Sequence, residues 1–327
     1  VGLSVCSSAD VILALGTRFA DETTCSYRKG VSFNFPDTKL IHVDIDPSEI
    51  GKNYGAEVGI VADLTDVLEK LNSANIVKKS RDLYFKEIEA LKADWKKYKN
   101  RKRELKSEKM TISGMIGIMN ETLPDNTIIS TSSGNTQAQL FQEYEYKKPY
   151  CNLTTGGFST MGWAVPAAMG AKLALPSTPV VAMVGDGDFM MIMQELSTMA
   201  QYDIPVVIVL ADNSGWMAIR DLQMDVLGKD CAFGNDFERN NKPYSPDFYE
   251  IGKAFGIDAY KANSEDTFAK ALKEAISKNK PAMIVSEVSR EYPFTGGKAF
   301  GWWDVPIPSY MTEKRETYEN SIKEETL

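Results

Sequence analysis

Short apolar runs rich in valine and isoleucine recur along this chain, each separated from the next by a stretch with helical spacing. In the N-terminal part they are "DVILALGT" (10–17), "KLIHVDID" (39–46) and "GIVAD" (59–63), followed by the amphipathic "LTDVLEKL" (64–71). In the C-terminal part they are "NTIIST" (126–131), "PVVAMVG" (179–185), "IPVVIVLAD" (204–212) and "PAMIVSEV" (281–288). The helical stretches there include "AVPAAMGAKLAL" and "SEDTFAKALKEAISK", the latter with Ser264 as its N-cap and two acids in its first turn. Runs that are apolar on both faces need cover on both. The alternation therefore predicts an α/β fold of two doubly wound parallel-sheet domains. The polar stretch 80–109 reads as a helical connection, and its basic run 96–106, interleaved with acids, as a solvated helix rather than a phosphate-binding patch. The expected boundaries are 1–80, a linker 81–110, a second domain 111–300 and a tail 301–327. With three strands in its first block, the chain is expected to be part of something longer.

Charge and composition narrow the function. The net charge of −8 over 327 residues gives no electrostatic case for nucleic acid or an anionic membrane surface. No apolar run reaches the roughly 18 residues that a span requires. Cys6, Cys25, Cys151 and Cys231 are scattered without CxxC spacing, which fits a reducing cytoplasm. His42 is the only histidine, so a Ser-His-Asp triad or a histidine-rich metal site has little to work with.

The segment "MVGDGDFM" (183–190) places Asp186 between Gly185 and Gly187 at the end of an apolar run. Alone, Gly-Asp-Gly is a turn. A strand–helix–strand crossover, with a helix expected over 189–203, then leads to Asn213 at the end of the next run, 26 positions after Gly187. In a parallel sheet both residues emerge at the same carboxyl edge, where such folds place ligands. A carboxylate, an amide oxygen and a nearby backbone carbonyl suit a Mg²⁺ that takes its other ligands from a diphosphate and water. The glycine-flanked turn would bring backbone N–H groups to phosphate oxygens.

These residues resemble the thiamine diphosphate motif. It runs here from "GDGDFMMIMQ" to "VVIVLADN", with Asp212-Asn213 in place of the usual closing Asn-Asn. The segment "TTGGFSTMGWAVPAAMGAKLA" (154–173) is similar to that of acetolactate synthase-like enzymes. "LGTRFADETT" and "LIHVDIDPSEIGKN" resemble that group's central domain, of which the chain would hold a part. The resemblance implies Asp186, Asn213 and the Gly215 carbonyl as Mg²⁺ ligands, and backbone N–H groups of Gly187 and Asp188 on the diphosphate. It implies Gly134, Asn135 and Thr136, where the family carries Gly-Gln-His, on the diphosphate's other side. Met161 would wedge beneath the cofactor, with core packing as the alternative role, and the Ser159 carbonyl would accept from the 4′-amino group.

The resemblance further implies decarboxylation of a 2-keto acid such as pyruvate and its joining to an acceptor. It also implies a homodimer or homotetramer, because the pyrimidine-binding domain with its activating glutamate comes from an N-terminal region or a partner chain. This chain alone is then expected to bind thiamine diphosphate weakly and to turn nothing over. Several residues depart from the pattern. "FADETT" lacks the arginine of the flavin-contacting loop, which argues against FAD. Leu222 stands where acetolactate synthases carry an acceptor-pocket tryptophan, and Trp216 comes earlier. "GTRFADETTCS" and "GWWDVPIP" resemble instead the branch that hydrolyses a cyclic 1,2-diketone, where Trp302 and Trp303 would close over the site or anchor the tail. A non-catalytic cofactor-binding module is the third alternative.

Overall fold

The computed structural model describes residues 1–25, 27–77, 79–105, 107–290 and 307–322. Trp302 and Trp303 lie outside the described residues. The chain forms two compact units, Val1–Lys97 with Thr295–Leu327, and Tyr98–Phe294.

The first unit begins with α1 (Gly2–Ser7), β1 (Val11–Leu15) and the short α2 (Asp21–Thr24), and continues with β2 (Lys39–Asp44), β3 (Val58–Val61) and α3 (Leu64–Ser73). Its strands pair in parallel in the order β1-β2-β3. Asp63 starts α3 where the sequence predicts it, its side chain accepting the Thr65 N–H at 2.7 Å. The core here is aromatic. The buried Phe19 ring meets Phe33, Phe35 and Tyr54 edge-on, and also the ring of His42. His42 lies 2.9 Å through Nε2 from the Thr17 carbonyl, which makes it a core residue.

The polar connection is the helix α4 (Asp82–Arg103), solvent-exposed along most of its length. Near its end Lys102 is buried against Glu143, 3.5 Å away, which in turn accepts the Ser113 hydroxyl at 3.0 Å.

The second unit is built on a six-stranded sheet in which every pairing is parallel. In chain order its elements are α5 (Ile112–Thr122), β4 (Ile128–Thr131), α6 (Asn135–Glu143), β5 (Asn152–Thr154), α7 (Ala164–Ala174), β6 (Val180–Gly185), α8 (Asp186–Met190), α9 (Glu195–Gln201), β7 (Val207–Asp212) and α10 (Met217–Leu227). A two-stranded antiparallel ribbon follows, β8 (Glu238–Arg239) and β9 (Lys242–Pro243), then α11 (Phe248–Ala254), β10 (Asp258–Lys261), α12 (Glu265–Lys278) and β11 (Ala282–Glu287).

Side chains alternate across the sheet. Val181, Met183, Val207 and Val209 pack against α5, α6 and α12, while Val180, Ala182, Val184 and Ile208 pack against α7, α9 and α11. Both faces are covered, which is why these strands read as unbroken apolar runs. Ser264 caps α12 in a reciprocal capping box with Thr267.

The strand order is β10-β11-β7-β6-β4-β5. From β4 the chain moves outward through α6 to β5, then crosses back over α7 to place β6 on β4's other side. The helices after β4 and β6 therefore leave on opposite faces, and a crevice opens between the two strand ends. Among the described residues no helix is long and apolar enough to cross a membrane.

Candidate functional site

The crevice holds a cavity of about 110 Å³, lined by residues from four segments. Gly134, Asn135 and Thr136 come from the end of β4. Gly185, Asp186, Gly187 and Asp188 follow β6, and Asn213 and Gly215 follow β7, with Met161 contributed from before α7. Register explains the meeting. Gly185 pairs with Ala211, so Asp186 leaves its strand beside Asp212 and one residue short of Asn213.

Asp186 is 1% exposed, and one of its oxygens, Oδ2, accepts the Gly215 N–H at 2.9 Å. No ion pair reaches it among the described residues. Burial, and then the charge of Asp212, push its carboxyl well above the ordinary range, against hydrogen bonds from the Gly215 and Gly187 N–H groups.

The Asn213 carboxamide faces the other oxygen. With nitrogen inward it donates to Asp186 Oδ1 at 3.1 Å and to the Gly215 carbonyl at 2.9 Å. With oxygen inward it faces two further oxygens at those distances, an arrangement that an intervening cation makes favourable. Neighbouring ligands of an octahedral Mg²⁺, bound at about 2.0–2.1 Å, lie about 2.9 Å apart. The donor set fits that ion. No cluster of three or more His, Cys, Asp or Glu side chains suited to a metal occurs among the described residues, so a cation here relies on the amide and the carbonyl.

Beside these oxygens lies the start of α6. Its N-cap is Gly134, at φ +89° and ψ −171°, a conformation that is essentially glycine's alone. No side chain caps the helix, so its first N–H groups are open to an anion on the cavity side. Thr136 is buried there, and Asn135 is tied to α10, its Nδ2 donating to Asp221 at 2.9 Å.

One feature differs from the sequence expectation and two add to it. The helix expected over 189–203 is broken. α8 starts at Asp186 itself and ends at Met190, after which i to i−3 bonds such as Ile192 N–H to Phe189 O (3.0 Å) carry the chain to α9. Asp188 does more than offer an N–H. Its buried carboxylate accepts the Ser132 hydroxyl and the Gly162 N–H, fastening the ends of β4 and β6 to the approach of α7. Ser159 is not part of the lining, and its hydroxyl donates to Ser133 Oγ at 3.1 Å.

Other neighbours carried no motif. Trp216 lies against Gly187 so closely that any Cβ at 187 would strike its indole, and the ring packs edge-on against Phe237. Met217, Ala218 and Ile219 complete the lining, whereas Leu222 does not reach it. Arg290 sits behind Asn213 and Ser214, its Nε donating to the Asn213 carbonyl and an Nη to the Ser214 carbonyl, each at 3.0 Å.

Comparison with known proteins agrees with this layout. Residues 132–286 match the family model of the thiamine pyrophosphate enzyme C-terminal TPP binding domain, and residues 3–71 that of the central domain. The probable acetolactate synthase large subunit of Methanocaldococcus jannaschii is 35% identical over 287 residues, covering 85% of this chain and 46% of the relative. The acetolactate synthase large subunit of Pyropia yezoensis is 32% identical over 289 residues, 86% of this chain and 46% of its own. That of Buchnera aphidicola subsp. Schizaphis graminum is 31% identical, with 83% and 45% covered. The chain thus spans about half the length of the curated relatives it matches. With its parallel sheets and the crevice between β4 and β6, the chain belongs to the thiamine pyrophosphate enzymes, in their acetolactate synthase-like group.

Proposed function

We propose that this chain holds the diphosphate end of thiamine diphosphate, with Mg²⁺, in a cytoplasmic enzyme that decarboxylates a 2-keto acid such as pyruvate and joins the remainder to an acceptor. The observation that carries the reading is the approach of the Asn213 carboxamide to an Asp186 oxygen at 3.1 Å and to the Gly215 carbonyl at 2.9 Å, beside an uncapped helix start. In this reading Asp186, Asn213 and Gly215 bind the cation. The first N–H groups of α6, with those of Gly187 and Asp188, take the phosphate oxygens. Met161 supports the cofactor from the cavity wall, and the Ser159 carbonyl accepts from its amino group. The bound cofactor supplies the nucleophilic carbon and electron sink that 2-keto acid decarboxylation requires. FAD is left out, because the segment matching the flavin-contacting loop lacks its arginine.

The test is turnover by the full-length protein with thiamine diphosphate and Mg²⁺. Pyruvate is expected to yield CO₂ and an α-hydroxy ketone, with the new hydroxyl on the acceptor's former carbonyl carbon and the ketone on the carbon beside it. Hydrolysis of a cyclic 1,2-diketone with no pyruvate turnover would overturn the assignment.

The reading includes a homo-oligomer of at least two subunits. Beside Met161, Phe158 is 93% exposed and Met191 48%, apolar surface of the kind that a partner covers. Sedimentation of the active protein is expected to give a dimer or tetramer; a fully active monomer would refute it.

A further inference from the structure

The residues that would ligate the cation belong to a turn, Asn213–Ser214–Gly215, whose middle residue is under conformational strain. Ser214 has φ +56°, a left-handed conformation that strains a residue with a Cβ and persists only where the surroundings enforce it. Here they do. The Ser214 N–H donates to Asp212 Oδ1 at 3.0 Å, and its hydroxyl pairs with Ser245 at 2.9 Å. Its carbonyl accepts the Phe237 N–H at 2.8 Å and the Arg290 guanidinium at 3.0 Å.

Arg290 alone among these partners grips two consecutive peptides of the turn. Nε holds the Asn213 carbonyl, and Nη2 holds those of Ser214 and Phe237, the last at 3.3 Å. The planar fork fixes both peptide planes at once, and with them the Cα positions from which the Asn213 side chain and the Gly215 carbonyl extend. Its charge is met on the far side by Asp236 at 3.2 Å and Glu238 at 3.7 Å. Asp236 also pairs with Arg220 of α10, 3.3 Å away. Arg290 lies beyond the residues that the family model matches.

We propose that Arg290 is a positioning residue, setting the cation-ligating geometry of the 213–215 turn without touching the cation. This rests on the cation site proposed above. The sign of the effect separates positioning from simple electrostatics. A cationic side chain near a bound cation repels it, so removal of charge alone would tighten binding. Loss of positioning weakens it.

The experiment measures Mn²⁺ affinity of the full chain with thiamine diphosphate present, from the free-ion EPR signal against a cofactor-only baseline. Arg290→Met is expected to lower the affinity about 10–100-fold, as loss of partners that orient metal ligands does. Arg290→Lys is expected to lose less, because an ammonium satisfies one carbonyl without fixing both planes. Where Arg290→Met does not fold, Arg290→Lys carries the test. Unchanged or tighter Mn²⁺ binding in a folded variant overturns the proposal, since a role confined to stability leaves the folded protein's affinity alone. Asp186→Asn is the companion variant. If it loses Mn²⁺ binding and the Arg290 variants do not, positioning fails while the cation site stands. If Asp186→Asn binds Mn²⁺ as the parent does, both fall.

Discussion

Asp186→Ala is expected to abolish divalent-cation-dependent binding of thiamine diphosphate while leaving the fold in place. Of the three proposed ligands Asp186 alone carries charge; the Asn213 amide and the Gly215 carbonyl are dipoles. The two neighbouring carboxylates are committed elsewhere. Asp188 accepts from Ser132 and Gly162, and Asp212 Oδ1 accepts from Ser214 and from Ser245 at 2.6 Å. Nothing in the cavity therefore replaces the lost charge. The fold survives because a buried carboxylate without a cation is a liability, so its removal relieves a desolvation cost. The variant gives up the bonds from the Gly215 N–H, at 2.9 Å, and the Gly187 N–H, each stranded donor costing about 1–3 kcal/mol, and the relieved desolvation offsets part of that cost. Metal-free stability should fall by no more than about 3 kcal/mol, less than the lost bonds alone would cost. Calorimetric titration with thiamine diphosphate, with and without Mg²⁺, checks the first half and urea unfolding the second. An unaltered cofactor affinity would remove Asp186 from the cation site.

Asp188→Ala should behave in the opposite way, striking stability before function. This side chain is 5% exposed and joins segments that are far apart in sequence, the Ser132 hydroxyl and the Gly162 N–H. Truncation strands both donors in a site closed to solvent. Each of the two buried donors left unpaired costs about 1–3 kcal/mol, so a loss of about 2–6 kcal/mol is expected. Asp188→Asn keeps a carbonyl oxygen for one donor and should lose about half as much. Burial holds the Asp188 carboxyl above its ordinary range, and the two donors pull it back, so the bonds offset a real desolvation cost. Chemical denaturation of the parent and both variants measures the effect. A loss below about 1 kcal/mol for Asp188→Ala would mean that water or a shifted Ser132 satisfies these groups, and that the three segments hold together by apolar packing alone.

Much of the fold was legible in residue order, because its signals are local. β6, β7 and β11 are covered on both faces and so announce themselves as valine- and isoleucine-rich runs. α12 begins at Ser264 through bonds that span three residues. The pairing of Asp186 with Asn213 followed from one further rule, that a single crossover returns the chain to the same edge of a parallel sheet.

Two strands of the six-stranded sheet escaped for the corresponding reason. β5 and β10 are the edges of the six-stranded sheet, short and partly polar, as edges are, with no apolar run to mark them. The break after Met190 escaped too, since its apolar residues keep a spacing that an uninterrupted helix also satisfies.

By itself, then, the order of residues determined the parallel α/β architecture, the two strand ends that meet, and the oxygen-bearing residues at them. It could not determine what holds those residues still. Arg290 reaches Asn213 across 77 positions, and Asp188 reaches Ser132 across 56. Trp216 closes over Gly187 with nothing in either residue's neighbours to announce it. Such contacts depend on where loops from different strands converge once the sheet has assembled. Hydrophobic period and capping act within a few residues, so only the tertiary structure could decide these.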